Sequence, residues 1–325
     1  MLTEYIDSTE RAAKIIREGG LVAFPTETVF GIGVDATNSD AVTKLFAAKG
    51  RPSNNPLIVH LDDGGNWARA AAELPQIAST LLNAFCPGPL TLVLPKLPAI
   101  SDLVTAGLTT VGLRVPDHPI AREILRGAAV PVAAPSANRS GRPSGTTWQA
   151  VAEDLDGRID AIFTADATSI GIESTVVDCS GSDPVVLRPG AITLEQLQRI
   201  VPQTRELRTG EMQQIAVSGQ QVSSPGILHP HYQPIAEVFI MDLPPKDLSA
   251  EVFAVSAFCG VECSDGSDAF AMSKVFGSLE EYAAGFYEFL REVDRQSLEK
   301  VFVQTAPNDG IGKALRDRQR RAAGG

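Results

Sequence analysis

Basic charge is scarce in this sequence, cysteine is sparse and long apolar runs are missing. Lys and Arg number 28 against 39 Asp and Glu, for a net charge of −11. Bulk electrostatic binding to nucleic acid needs a basic surface, so weak or no direct nucleic-acid binding is expected. Any site for a polyanion must be a focused cluster of Lys and Arg in an acidic molecule. Cys86, Cys179, Cys259 and Cys263 are scattered. Only the last two lie close, and no second pair completes a zinc site, so they read as reduced thiols. No run is apolar enough to span a bilayer. Met1 to Asp7 has neither the basic nor the apolar region of a signal peptide. The expectation is a cytoplasmic protein without membrane contact.

What is present is material for cores. Hydrophobic residues make up 44% of 325, a length that suggests two domains. Residues 9–18 read as a helix and 21–24 as a buried strand closed by Pro25. Residues 40–49 read as a helix capped by Asn38 or Ser39. Strands are expected at 56–61, 90–94, 111–115, 130–134, 161–163, 174–178 and 185–187. Helices are expected at 73–85, 118–126 and 193–200. Strands and helices mix without strict βαβ repetition, which predicts a twisted α/β unit with a mixed sheet over residues 1–208. Residues 209–236 are polar and rich in breakers, and read as a linker. Residues 237–325 then alternate again. Strands are expected at 238–241, 252–255 and 301–304, and helices at 279–292 and 310–321. That pattern predicts a small parallel α/β domain, Rossmann-like in plan.

The chemistry starts at Lys49-Gly50-Arg51-Pro52. Two cations leave a helix end on either side of a glycine. Arg can bind phosphate or carboxylate with two parallel hydrogen bonds, and Lys adds a point charge. Alone, four residues fit a solvated surface turn as well. Phe24 to Gly33 adds two hydroxyls and a carboxylate in a turn after a strand, with Gly31 and Gly33 permitting close approach. Asn54-Asn55-Pro56 and His60 follow, and Arg114 sits within a strand, where its charge needs a partner. Ala134 to Gly141 is a loop of breakers and hydroxyls. Gly171 to Asp178 and Leu187 to Ala191 complete the set.

In this order the blocks PTETVFGIG, KGRP, NNPLIVH, PGPLT, VGLRVPDHP, PSANRSG, GIESTVVD and LRPGAI resemble those of the YrdC-like threonylcarbamoyl-AMP synthases, over about residues 10 to 200. Ser224 to Pro234 and the α/β stretch after it look like the linker and C-terminal domain of the family's two-domain members. The resemblance implies synthesis of L-threonylcarbamoyl-AMP and pyrophosphate from L-threonine, bicarbonate and ATP. Magnesium would arrive with the nucleotide rather than in a dedicated metal site. Partner proteins would carry the group to adenosine 37 of tRNA.

It also implies roles. Lys49 and Arg51 match phosphate-binding, catalytic positions. Asn55, Thr110, Ser136, Asn138, Ser144, Arg188, His229 and Tyr232 match further ATP positions. Thr28, His60, Arg114, Ala134 and Ser174 match positions that hold threonine, Arg114 suiting its carboxylate. This sequence departs from the family at Phe30, where Tyr is commoner, and at Leu228, His229 and Pro230. His231, Tyr232 and Pro234 keep the pattern, and the linker reads as a lid. Two other readings compete. A non-catalytic RNA-binding protein conflicts with the acidic balance. The carbamoyl-transfer domains of hydrogenase maturation proteins carry Cys pairs and an acylphosphatase segment that this chain lacks.

Overall fold

The structure is a computed structural model that describes residues 2–62, 67–207, 231–245, 247–261 and 267–324. His229 and most of the expected linker fall outside these residues. Two sheets organise the rest.

The larger sheet joins eleven described strands. They are β1 (Glu4–Ile6), β2 (Val22–Phe24), β3 (Gly31–Asp35), β4 (Ile58–His60), β5 (Leu90–Pro95), β6 (Thr110–Arg114), β7 (Val132–Ala133), β8 (Ala161–Phe163), β9 (Thr175–Asp178), β10 (Val185–Arg188) and β11 (Arg205–Glu206). Their order is β1-β8-β2-β3-β7-β4-β6-β5-β9-β10-β11. Pairings are mixed: β4 with β6 is parallel, for example, and β5 with β6 antiparallel. The expected mixed sheet is therefore present.

Side-chain alternation decides what covers each face. Val22 and Phe24 pack with α1 (Thr9–Arg17) and α5 (Pro119–Ala128), through Ile16, Ile124 and Leu125. Ala23 points the other way, into the main core. That core is roofed by α2 (Ser39–Lys49), α3 (Gln76–Phe85), α4 (Asp102–Thr105), α6 (Trp148–Leu155) and α7 (Leu194–Ile200). In the middle of the sheet the first face carries only a small cluster of Ile58, Val93 and Val176. Its neighbours there are polar, and this stretch becomes the floor of a cleft.

The second sheet contains β12 (Glu237–Met241), β13 (Ser256–Gly260), β14 (Met272–Val275) and β15 (Lys300–Gln304), in the order β12-β15-β13-β14. All its pairings are parallel, as expected. One face buries α9 (Leu279–Arg295) and α10 (Gly310–Ala322); the other gathers Phe258, Phe270 and Phe302. The first of these cores also takes in Val29 and Ile172 from the larger unit, so the two units share apolar contacts. The run 252–255 is not a strand. Residues 252–254 belong to α8 (Ala250–Ala254), whose cap Ser249 accepts a hydrogen bond from Val252 N; Val255 caps its end and β13 begins just after it. Among the described residues no helix is long and apolar enough to cross a membrane.

Candidate active site

The cleft is built by strand register. His60 on β4 pairs with Arg114 on β6, and Arg114 with Thr91 on β5. In-register neighbours point the same way, so these three polar side chains line up on the open face. Ser174 precedes β9, and its hydroxyl lies 2.8 Å from that of Thr91. Arg188, at the end of β10, donates to Ser174 O at 3.0 and 3.1 Å and to its hydroxyl at 3.2 Å.

The turn between β2 and β3 supplies the next wall. Thr26 donates to Val29 O at 2.7 Å and its hydroxyl lies 2.8 Å from that of Thr28. Arg114 Nη1 donates to the Thr28 hydroxyl at 2.9 Å. Arg114 Nη2 stands 2.7 Å from Glu27 Oε1, an ion pair whose angle misses hydrogen-bond geometry. His60 is 3% exposed, and its Nδ1 has no hydrogen-bond partner. Burial, and then the Arg114 charge, lower its pKa to about 3, so the ring is neutral at pH 7. His60 lines the cleft, so a ligand there can reach its ring.

The basic pair divides its work. Gly50 ends α2 in the left-handed region, φ 62°, and there Lys49 and Arg51 part. Lys49 turns inward and donates to the carbonyls of Ser136 and Asn138, so it fastens the Pro135–Asn138 turn. Burial, and then Arg51, push its pKa well below the ordinary value. Arg51 faces the cleft while donating to Asn55 O and Pro56 O. Asn55 Nδ2 lies 3.3 Å from His231 Nε2, and His231 and Tyr232 close the cleft from the far end of the linker.

The cleft holds a cavity of about 60 Å³. Of the residues expected to bind ligand, Thr28, Arg51, His60, Arg114, Ala134, Ser136, Ser174, Arg188 and Tyr232 line it, and Asn55 adjoins it. Lys49 and Asn138 do not line it. The Asn138 side chain serves its own loop, donating to Arg139 O and Arg142 O. Ser144 is buried on Glu173 at 2.6 Å. Thr110 starts β6 opposite Pro95, four residues and roughly 13 Å from Arg114 along the strand. Glu173, which lines the cleft, and Tyr287 and Arg318, which hold it, carry no role in the motif pattern of the sequence. A carboxylate beside the Ser174 hydroxyl in an apolar stretch was the available signal for Glu173. Arg318 lies on a polar helix and gave none.

Three guanidiniums facing one buried cleft, flanked by hydroxyls and a neutral imidazole, define an α/β enzyme organised around anionic substrates. Residues 14–190 match the Sua5/YciO/YrdC family, described as Telomere recombination. Residues 192–324 match the family described as Threonylcarbamoyl-AMP synthase, C-terminal domain. The chain is 41% identical over 328 residues to the threonylcarbamoyl-AMP synthase of Bacillus subtilis (strain 168), covering 97% of this chain and 92% of that protein. It is 39% identical over 323 residues to the protein of the same name from Pyrococcus abyssi (strain GE5 / Orsay), covering 96% and 93%. The crystal structure of P. abyssi Sua5 complexed with L-threonine superposes with a TM-score of 0.88 at 36% identity, over 100% of this chain and 98% of that one. The chain belongs to the Sua5/YciO/YrdC family, in the form that carries the additional C-terminal domain.

Proposed function

We infer that this chain is a threonylcarbamoyl-AMP synthase, which makes L-threonylcarbamoyl-AMP and pyrophosphate from L-threonine, bicarbonate and ATP. The observation that carries the reading is one cleft lined by three guanidiniums. Arg114, with Thr28, Ser174 and His60, lines it together with Arg51 and Arg188.

In this reading Arg114 takes the threonine carboxylate and His60 accepts a hydrogen bond from its ammonium or hydroxyl. The amine nitrogen bonds to the bicarbonate carbon with loss of water, giving a carbamate. A carbamate oxygen then attacks the α-phosphorus of ATP, and the bond to the bridging oxygen breaks as pyrophosphate leaves. Arg51 and Arg188 stabilise the charge that develops. The carbamate is already an anionic nucleophile, so positioning supplies much of the rate. Lys49 acts one step back, by fixing the Ser136 turn. Magnesium enters as part of the nucleotide substrate. Glu173 is engaged by Arg318, and no cluster of three or more His, Cys, Asp or Glu stands among the described residues to hold a metal.

Residues 1–208 form the catalytic unit in this reading, 237–325 the second unit, and 209–236 a linker that works as a lid. The nearness of His231 and Tyr232 to the cleft supports the lid. The product passes in the cytoplasm to proteins that place it on adenosine 37 of tRNA.

The test is pyrophosphate release with ATP, bicarbonate and each amino acid in turn. Threonine alone should give strong release; no threonine-dependent release from folded protein would end the reading. Arg51→Ala should lower turnover by at least ~100-fold, and should lower melting temperature too, because it releases the buried carbonyls of Asn55 and Pro56. Lys49→Ala should lower turnover comparably and melting temperature as well, because it releases two buried carbonyls.

A further inference from the structure

Glu173 sets an electrostatic problem. It lines a cleft whose other charged walls are Arg51, Arg114 and Arg188, and it is 7% exposed. A buried anion there opposes a polyphosphate ligand. The larger unit gives it a single side-chain hydrogen bond, from the Ser144 hydroxyl to Oε1 at 2.6 Å. The second unit gives more. Tyr287 donates to Oε2 at 3.0 Å, Arg318 Nε donates to the same oxygen at 3.0 Å, and Arg318 Nη2 reaches the Glu173 carbonyl at 3.4 Å.

The same two side chains also pack on Tyr232. Arg318 lies over the Tyr232 ring, 5.8 Å from its centroid, and the Tyr232 and Tyr287 rings are 5.1 Å apart. Arg318 is fully buried and is fixed from behind by Asp317 at 2.7 Å. Two residues of the cleft, Glu173 and Tyr232, are thus held by two residues of the other unit. Burial alone would raise the Glu173 pKa, but Arg318, Arg188 and Ser144 outweigh it and hold the carboxyl below its ordinary value. The group is an anion at neutral pH, so its charge must be cancelled.

We propose that Arg318, seconded by Tyr287, is a positioning residue for the nucleotide: it cancels the Glu173 charge so that Arg51 and Arg188 act on the phosphates undiminished, and it seats Tyr232 at the mouth of the cleft. The second unit thereby becomes a working part of the ATP site. The proposal deepens the synthase reading and rests on it for the nucleotide.

The experiment uses the full chain, with ATP affinity measured by equilibrium binding and turnover by pyrophosphate release. Wild type that binds ATP but releases no threonine-dependent pyrophosphate would sink the synthase reading and leave the proposal standing. Arg318→Gln should weaken ATP binding by at least ~10-fold and threonine binding by less than ~3-fold. Adding Glu173→Gln to that variant should raise ATP affinity by at least ~3-fold over Arg318→Gln alone, because the uncancelled charge is gone while Tyr232 stays unseated. A purely structural Arg318 would give additive losses, and additive losses overturn the proposal. Should Arg318→Gln fail to fold, Tyr287→Phe decides. It removes one donor to the Glu173 carboxylate and should weaken ATP binding by at least ~3-fold with threonine binding unchanged, whereas unchanged ATP affinity in a normally melting protein overturns the proposal.

Discussion

A single histidine carries little information in a sequence, yet two of the four here are buried at the cleft. Burial lowers the pKa of His60 and of His231 to about 3, with Arg114 the next cause for the first and Arg51 for the second. The unfolded chain takes up these protons near pH 6.5, and the folded chain holds out until about pH 3. The stability this represents is fully present above pH 6.5 and drains away as pH falls between those limits, at about 1.4 kcal/mol per pH unit for each ring. At pH 5 each ring should have cost on the order of 2 kcal/mol. Glu173, held below its ordinary value, acts in the same direction at lower pH. The informative quantity is therefore a difference. Melting of wild type should fall more steeply between pH 7 and 5 than melting of His60→Gln, and equal slopes would show that His60 is not kept neutral by the fold.

At the scale of elements, one loop decides how closely the units approach. Gly171 has φ 76°, and a Cβ there would stand 2.4 Å from the Cα and carbonyl oxygen of Ala284 on α9. Neither backbone atom can yield without moving the helix. Gly171→Ala should cost about 2 kcal/mol or more and loosen α9, which carries Tyr287, away from Glu173. A fall in melting temperature with a matching loss of ATP affinity is the expected result. Unchanged melting would mean that the units adjust freely.

The same loop shows where the sequence was legible. GIESTVVD reads well as a strand preceded by a turn, and β9 begins at Thr175. The helix before the basic pair, its Asn38 cap and its glycine stop could also be read, because caps are local signals. The run Val252-Phe253-Ala254-Val255 misled, since four apolar residues fit either period and the Ser249 cap decided for a helix. Strands β1, β3, β11 and β14 carry no clear signal in the sequence; they are short or pair with distant partners, such as β1 with β8. In the site, the charged and hydroxyl-bearing blocks pointed to the cleft, but not to what each side chain does in it. Whether Lys49 faces a ligand or two carbonyls depends on a turn 87 residues away. The pairing of Glu173 with Arg318 spans 145 residues and has no local pattern to betray it.

For the whole molecule, the joint between the units combines apolar packing with a buried charge pair. Arg291 of α9, 1% exposed, donates to Asp154 at 2.7 Å and to Pro143 O at 2.6 Å, while Arg295 meets Glu153 at 2.7 Å on the more exposed rim. Buried pairs of this kind add little net stability over an apolar substitute, but removing one partner alone is costly. Arg291→Leu leaves Asp154 with Arg142 as its remaining ion-pair partner and strands the Pro143 carbonyl. The expected cost is about 3–5 kcal/mol. Because the joint also holds Glu173, wild type should unfold in one calorimetric transition, with the site and the second unit melting together. Arg291→Leu should separate that transition into two, and Arg291→Leu with Asp154→Leu should lose less than the single change. Two transitions in wild type would show the units to be energetically independent and would remove the physical basis for a second unit that tunes the cleft.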